Sequence, residues 1–253
     1  MTKFFNLKFY RTRRIMVVGV ALMGLVGLIF ANPTSYEEVL EPVVSDTSAT
    51  SVSNENDPIS TDVLLATTVL EKLEIKGRAP KTGYERTQFY NNWPTVDGCN
   101  LRQRIIKREL GESAVLGDDR CTVISGEYNE PYTGSHLVFY QKSDLSSGVQ
   151  IDHVVALSDA WQKGAQYMSA ETRYAMATDP LNLLAVDAKA NQGKSDGDAA
   201  TWLPSNKAFR CTYIARQISV KYKYTLWVTQ AEHDAMAKVL SACPNEPAVG
   251  IEL

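Results

Sequence analysis

Five basic residues, Lys3, Lys8, Arg11, Arg13 and Arg14, precede Ile15–Ala31, a run of 17 residues without a charge. This is the layout of an export signal, or of a short membrane anchor kept after export. The basic flank staying inside agrees with that orientation. Cleavage after Ala31 would put Ile29 at the −3 position, a poor match to the small-x-small rule, so both outcomes stay open: a secreted protein, or an extracellular one held to the membrane through this segment. Either way the remainder leaves the cytoplasm, and that sets the chemistry open to its cysteines.

From Asn32 to about Ser60 the composition shifts to Ser, Thr, Pro, Asp and Glu, with no Lys or Arg between Arg14 and Lys72. Such a stretch buries too little apolar surface to offset its ordering entropy, and it reads as a disordered linker. The expected organisation is therefore a leader or anchor over 1–31, a linker over 32–60 and one domain over 61–253. Cys99, Cys121, Cys211 and Cys243 all fall in that domain, without a Cys-x-x-Cys knuckle. In an oxidising compartment they read as two disulfides. Of three connectivities, Cys99–Cys121 and Cys211–Cys243 is preferred because each joins neighbouring segments. The domain carries 21 Lys and Arg against 23 Asp and Glu. That balance argues against a high-affinity DNA-binding module more than against an enzyme with a local basic patch.

Apolar spacing predicts helices over 62–73 and 101–110, the second ending at Gly111, and a largely helical stretch over 156–177. Two more helices are expected at about 206–222 and 231–242, the last with a Thr229–Glu232 capping box. Strands are expected over 121–124 and 136–140, around a Gly126–Gly134 connection, then over 150–155 and 183–186, with Asp187 capping a following helix. The fold class is α+β, helices around a small antiparallel sheet.

Two polar islands carry chemistry. Asp152-His153 ends a β-branched run, and Asn182 precedes a strand that leads to Asn191-Gln192-Gly193-Lys194-Ser195-Asp196. An imidazole titrating near neutrality can take a proton from water. Asp152 and an Asn carbonyl such as Asn191 are hard oxygen donors suited to Mg²⁺. Neighbouring strand residues point to opposite faces, so Asp152 and His153 can share one site only at a strand end or bulge.

This pattern resembles the ββα-metal motif of HNH nucleases, and more closely the exported HNH-like proteins related to the C-terminal nuclease domain of GmrSD-type restriction enzymes. Gly83-Tyr84-x-Arg86, Trp93, Cys99-Asn100-x-Arg102, Tyr132-Thr133-Gly134, Asp179-Pro180-Leu181-Asn182-Leu183 and Trp202-Leu203-Pro204 extend the resemblance over roughly Leu64 to Cys243. It implies a ββα-metal core. It also implies that His153 is the general base, that Asp152 and Asn191 hold one divalent cation (Mg²⁺, with Mn²⁺ the alternative), and that Asn182 holds the His153 loop and orients the imidazole. Lys194 would face the phosphate, with Arg102 a further phosphate contact. Tyr167-Met168 and Thr178 depart from the family pattern, where a tryptophan and an asparagine are expected; both bear on packing rather than on the metal site.

The remaining polar residues take plainer readings. Asp196 and Asp198 are solvated or capping, His136 and His233 sit in a hairpin and on a helix face, and Trp161, Trp202 and Tyr213 belong to the core. Arg104, Lys107 and Arg108 form a solvated basic helix face. The expectation is a metal-dependent endonuclease acting on DNA with little sequence preference, since no base-reading element is present. No protein partner is expected. An inactive cell-surface binding module with the same fold, or a nuclease acting on RNA, are the alternatives.

Overall fold

The computed structural model describes residues 64–250. The expected export segment, the linker and the start of the first expected helix lie outside them. Among the described residues no helix is long and apolar enough to cross a membrane. In chain order the elements are α1 (Ala66–Leu70), β1 (Thr95–Val96), β2 (Cys99–Asn100), α2 (Leu101–Leu110), β3 (Val115–Leu116), β4 (Val123–Asn129), β5 (His136–Phe139) and α3 (Lys142–Gly148). There follow β6 (Val149–His153), α4 (Leu157–Gln162), α5 (Ala170–Thr178), β7 (Leu183–Asp187), α6 (Ala188–Lys194), α7 (Arg210–Lys223) and α8 (Gln230–Leu240). The α+β class holds, with the strands divided among three small antiparallel sheets, β1-β2, β3-β4-β5 and β6-β7.

The β6-β7 ribbon and α6 form the ββα unit that positions the site. Asp152 pairs with Leu184 and His153 with Leu183. Directly opposed residues share a face, so the register sorts the ribbon's side chains. Ile151, Leu183 and Ala185 join the apolar cluster built on α2, with Ile105, Ile106 and Leu110. Leu184 and Val186 join the cluster of α1, α7 and α8, with Tyr213, Ile214 and Ile218. Asp187 caps α6 as expected, accepting from the Ala190 amide at 2.7 Å. Buried Glu130 ties this corner together: its Oε1 accepts from the amides of Tyr132 and Asp187, and its Oε2 from the amide and hydroxyl of Thr133.

Several boundaries differ from expectation for definite reasons. Gly126 is not in a connection but inside β4, at φ 153°; a Cβ there would lie 2.5 Å from Leu110 Cδ2 and 2.9 Å from the Ser113 carbonyl oxygen. The 156–177 stretch breaks into α4 and α5 at Gly164, whose φ of 126° ends the helix where Trp227 packs against it. Thr229 does cap α8, accepting from the Glu232 amide, but Glu232 does not reach back. Its carboxylate is buried against Lys163 and Lys221. Asp198, expected to be solvated or capping, accepts from the Ala200 amide but is buried, with Lys163 at 2.8 Å and Arg78 at 2.6 Å. Burial alone would raise its carboxyl; the two cations outweigh that and hold it well below the usual carboxylate range.

Both cysteine pairs are disulfides, Cys99–Cys121 and Cys211–Cys243. The first ties the start of α2 to the approach to β4, and the second ties α7 to the end of α8.

Candidate active site

A cleft of about 340 Å³ runs along the free edge of β6, lined by Gln150, Ile151, Asp152 and His153 from the strand. Asn191, Gln192, Ser195 and Asp196 line it from α6 and the turn after it, Lys81, Tyr84 and Arg86 from an early loop, and Ser158 from α4. The strand-end requirement on Asp152 and His153 is met: His153 is the last residue of β6, and the cleft wraps the strand edge to take in both.

His153 is buried, with two aromatic rings packed against it. Trp93 stacks on it almost parallel (9°, centroids 5.9 Å apart), and Tyr90 packs at 5.8 Å. Its Nε2 lies 2.9 Å from the Ala177 carbonyl oxygen. A carbonyl can only accept, so Nε2 carries the proton and Nδ1 holds the lone pair. Nδ1 makes no hydrogen bond within the described residues. Burial, with a smaller contribution from the nearby Arg86 charge, lowers the imidazole pKa to about 3 against the opposing pull of the Ala177 carbonyl. The ring is therefore neutral at neutral pH, with its accepting nitrogen set by the fold.

Asn182 is fully buried in the turn before β7. Its Oδ1 accepts from the Val155 amide at 2.8 Å, while its Nδ2 donates to the carbonyls of Val155 and Met176. It thus grips the chain leaving His153 and the end of α5 that presents the Ala177 carbonyl. Its side chain makes no hydrogen bond to the imidazole among the described residues. The turn carrying Asn182 is held in turn by Arg108, which donates to the Pro180 and Leu183 carbonyls, and by Arg216, which donates to those of Pro180, Leu181 and Leu183. Arg108 is thereby more than part of a solvated basic face.

Asp152 is buried with both oxygens engaged. Oδ1 accepts from Lys194 Nζ at 3.0 Å, and Oδ2 from the Tyr132 hydroxyl at 2.5 Å. Burial raises its pKa, opposed by Lys194 and Tyr132. Lys194 also donates to the His153 carbonyl at 2.9 Å. The lysine therefore lies behind the carboxylate and not at the cleft surface. Arg102 lies apart from the cleft too, its guanidinium donating to the Val149 carbonyl at 3.1 Å and its pKa lowered by burial. Neither expected phosphate contact lines the cleft in this conformation.

Asn191 does line it. Its Nδ2 donates to Gln150 Oε1 at 2.9 Å, which leaves Oδ1 open. The donor chemistry fits a hard, hydrated divalent cation: Asn191 Oδ1 is available, and the Asp152 carboxylate, with Lys194 on Oδ1 and Tyr132 on Oδ2, keeps lone-pair capacity. Two protein oxygens with the remaining positions taken by water suit Mg²⁺. Among the described residues the one converging trio of His, Cys, Asp or Glu donors is Cys211, Cys243 and Glu246, whose sulfurs are already joined in a disulfide.

Sequence reasoning missed four contributors. Arg86 is exposed in the cleft, donates to the Tyr90 hydroxyl, lies 5.2 Å from that ring's centroid, and has no carboxylate partner among the described residues. Lys81, by contrast, is paired with Asp196 at 3.1 Å, and Asp196 also accepts from Ser158. Trp93 walls the imidazole and Tyr132 caps Asp152. Arg86, Trp93 and Tyr132 stand in the wider pattern noted above, but spacing alone gave them no role.

Residues 102–239 match the sequence model of the family described as GmrSD restriction endonucleases, C-terminal domain. A relative from Arthroderma benhamiae, named an uncharacterized secreted protein, is 35% identical over 181 residues, covering 70% of this chain and 84% of its own. No solved structure matches the chain significantly.

Proposed function

The chain belongs to the family of the C-terminal domain of GmrSD restriction endonucleases, and from that premise we propose that it is an exported, metal-dependent HNH-type endonuclease that hydrolyses DNA with little sequence preference. HNH-type nucleases generally use a divalent metal. The observation that carries the reading is the His153 imidazole, neutral, with Nε2 committed to the Ala177 carbonyl and Nδ1 free, on the wall of a cleft shared with Asp152, Asn191 and Arg86.

In this reading Nδ1 of His153 accepts a proton from the attacking water. Trp93 and Ala177 fix the ring's plane and tautomer, so the base needs no reorganisation. Arg86, an uncompensated guanidinium at the cleft, binds the phosphodiester through charge-assisted hydrogen bonds. Asp152 and Asn191 would hold the divalent cation, which when bound supplies charge neutralisation at the phosphate and assistance to the leaving oxygen. The products carry a 5′-phosphate and a 3′-hydroxyl. Contacts of this kind go to backbone phosphate, which carries no base information.

Export is supported by the basic-then-apolar N-terminus, by the two disulfides and by the secreted relative. Residues 61–253 then form the nuclease domain, 32–60 its tether and 1–31 the export segment. Incubating the protein with supercoiled plasmid and Mg²⁺ should give nicked circles that DNA ligase reseals directly. Intact supercoil, or nicks that ligase cannot reseal, would overturn the reading.

A further inference from the structure

The Lys194 ammonium occupies the carboxylate expected to hold the metal. Its side chain is fully buried, with Nζ 3.0 Å from Asp152 Oδ1 and 2.9 Å from the His153 carbonyl. Among the described residues the other two fully buried lysines are differently placed. Lys163 has three carboxylates, Asp159, Asp198 and Glu232, and Lys221 has two, Asp159 and Glu232. Lys194 has one, and it is the one facing the cleft. We infer that Lys194 is an internal counter-ion that competes with the divalent cation for Asp152, and that cation binding there displaces its ammonium. This rests on the cation reading proposed above.

Charge decides the competition. Asp152 and Lys194 together are neutral, and the second oxygen of Asp152 is already capped by Tyr132. A divalent cation at Asp152 would bring two further positive charges beside a buried ammonium. The other carboxylate in the cleft, Asp196, is committed to Lys81 and Ser158 and offers little compensation. Like charges at that range in a buried setting are strongly disfavoured. One of the two cations must therefore give way, and the lysine, on a flexible stem at the end of a helix, is the one able to move.

The local backbone supports movement at that point. Lys194 is the last residue of α6, and Ser195, which follows it, sits at φ 53°, ψ −124°, a conformation that favours glycine. Gly193, which precedes it, has open space on its Cβ side. The final turn of α6 thus ends on a strained residue. Rotation about the lysine's own stem would carry the ammonium away from Asp152 while leaving Asn191, in the same turn, in place. The same displacement would free a positive charge beside the cleft at the moment the metal is loaded.

The test is Mn²⁺ binding to the full chain, read by the loss of the free-ion electron paramagnetic resonance signal. Lys194→Met should bind Mn²⁺ at least about tenfold more tightly than the wild type, because the competing charge is gone. Asp152→Asn should bind more weakly than either. Equal or weaker binding by Lys194→Met, in a protein whose circular dichroism is unchanged, overturns the competition while leaving the cation reading standing. Mn²⁺ uptake by neither protein overturns both. Removing the lysine can also destabilise the fold, so a second measurement uses the wild type alone. In ¹⁵N-lysine-labelled protein the Lys194 ammonium protons should be protected without metal and exchange rapidly once Mg²⁺ is added. Protection unchanged through a Mg²⁺ titration that saturates the site contradicts the proposal.

Discussion

The Nε2 of His153 donates to the Ala177 carbonyl at 2.9 Å, and this single contact fixes which nitrogen of the imidazole can act as a base. Ala177 lies near the end of α5, whose neighbouring Met176 carbonyl is held by Asn182. The tautomer is thus set by the packing of a helix end against a buried asparagine.

The first consequence concerns pH. His153 has its pKa lowered to about 3 from 6.5, chiefly by burial. A depressed folded-state value means the group's contribution to stability is complete above about pH 6.5 and is lost as pH falls from there toward about 3, where the unfolded chain binds the proton more readily. Its C2–H resonance should not titrate between pH 5 and 8, and kcat/KM should show no acid limb from this group in that interval. A His153 midpoint near 6.5 would contradict the buried, neutral base.

Asn182→Ala leaves the buried Val155 amide without its acceptor. An orphaned buried donor costs about 1–3 kcal/mol. Urea unfolding should register that loss, and activity should fall even where the protein remains folded, because Ala177 and His153 lose their common support. Wild-type stability in this variant would show that the asparagine holds nothing.

Arg86→Ala removes a cleft guanidinium that has no carboxylate partner among the described residues. A charge-assisted contact of this kind contributes about 1.5–3 kcal/mol, so KM for DNA should rise by about 10- to 100-fold, with Arg86→Lys in between. The salt dependence of binding should flatten in the alanine variant. An unchanged KM would remove Arg86 from the site.

The Cys211–Cys243 bridge spans a sequence separation of 32 residues, and closing a loop of that size constrains the unfolded chain by about 3–4 kcal/mol. Replacing both cysteines with serine should lower the thermal midpoint, and a reducing agent, which opens both bridges, should lower that of the wild type by at least as much. A bridge whose loss leaves the midpoint unchanged would mean that α7 and α8 are held by packing alone.

What could be read from the chain beforehand followed its local codes. Residues 101–110 were legible as a helix because an apolar stripe ends at Gly111, and the α6 start because Asp187 caps it. The demand that Asp152 and His153 meet at a strand end came from β geometry alone, and β6 satisfies it. What stayed hidden was tertiary. The partner of His153 is a backbone carbonyl, which leaves no mark in the sequence. Glu232 carried a capping-box signature, yet its carboxylate turned to two buried lysines, one just past α4 and one on α7. The family resemblance puts Lys194 at a phosphate; which way a long flexible side chain turns is decided by what lies beneath it, here Asp152.

The most direct test of the central claim is plasmid cleavage by wild-type protein and His153→Ala, side by side, with Mg²⁺, Mn²⁺ or EDTA. Nicking by the wild type with metal, none with EDTA, and a loss of several orders of magnitude in the variant despite an intact fold are the expected results. Cleavage that survives the loss of His153, or a folded wild type that cuts under no cation, would contradict the claim.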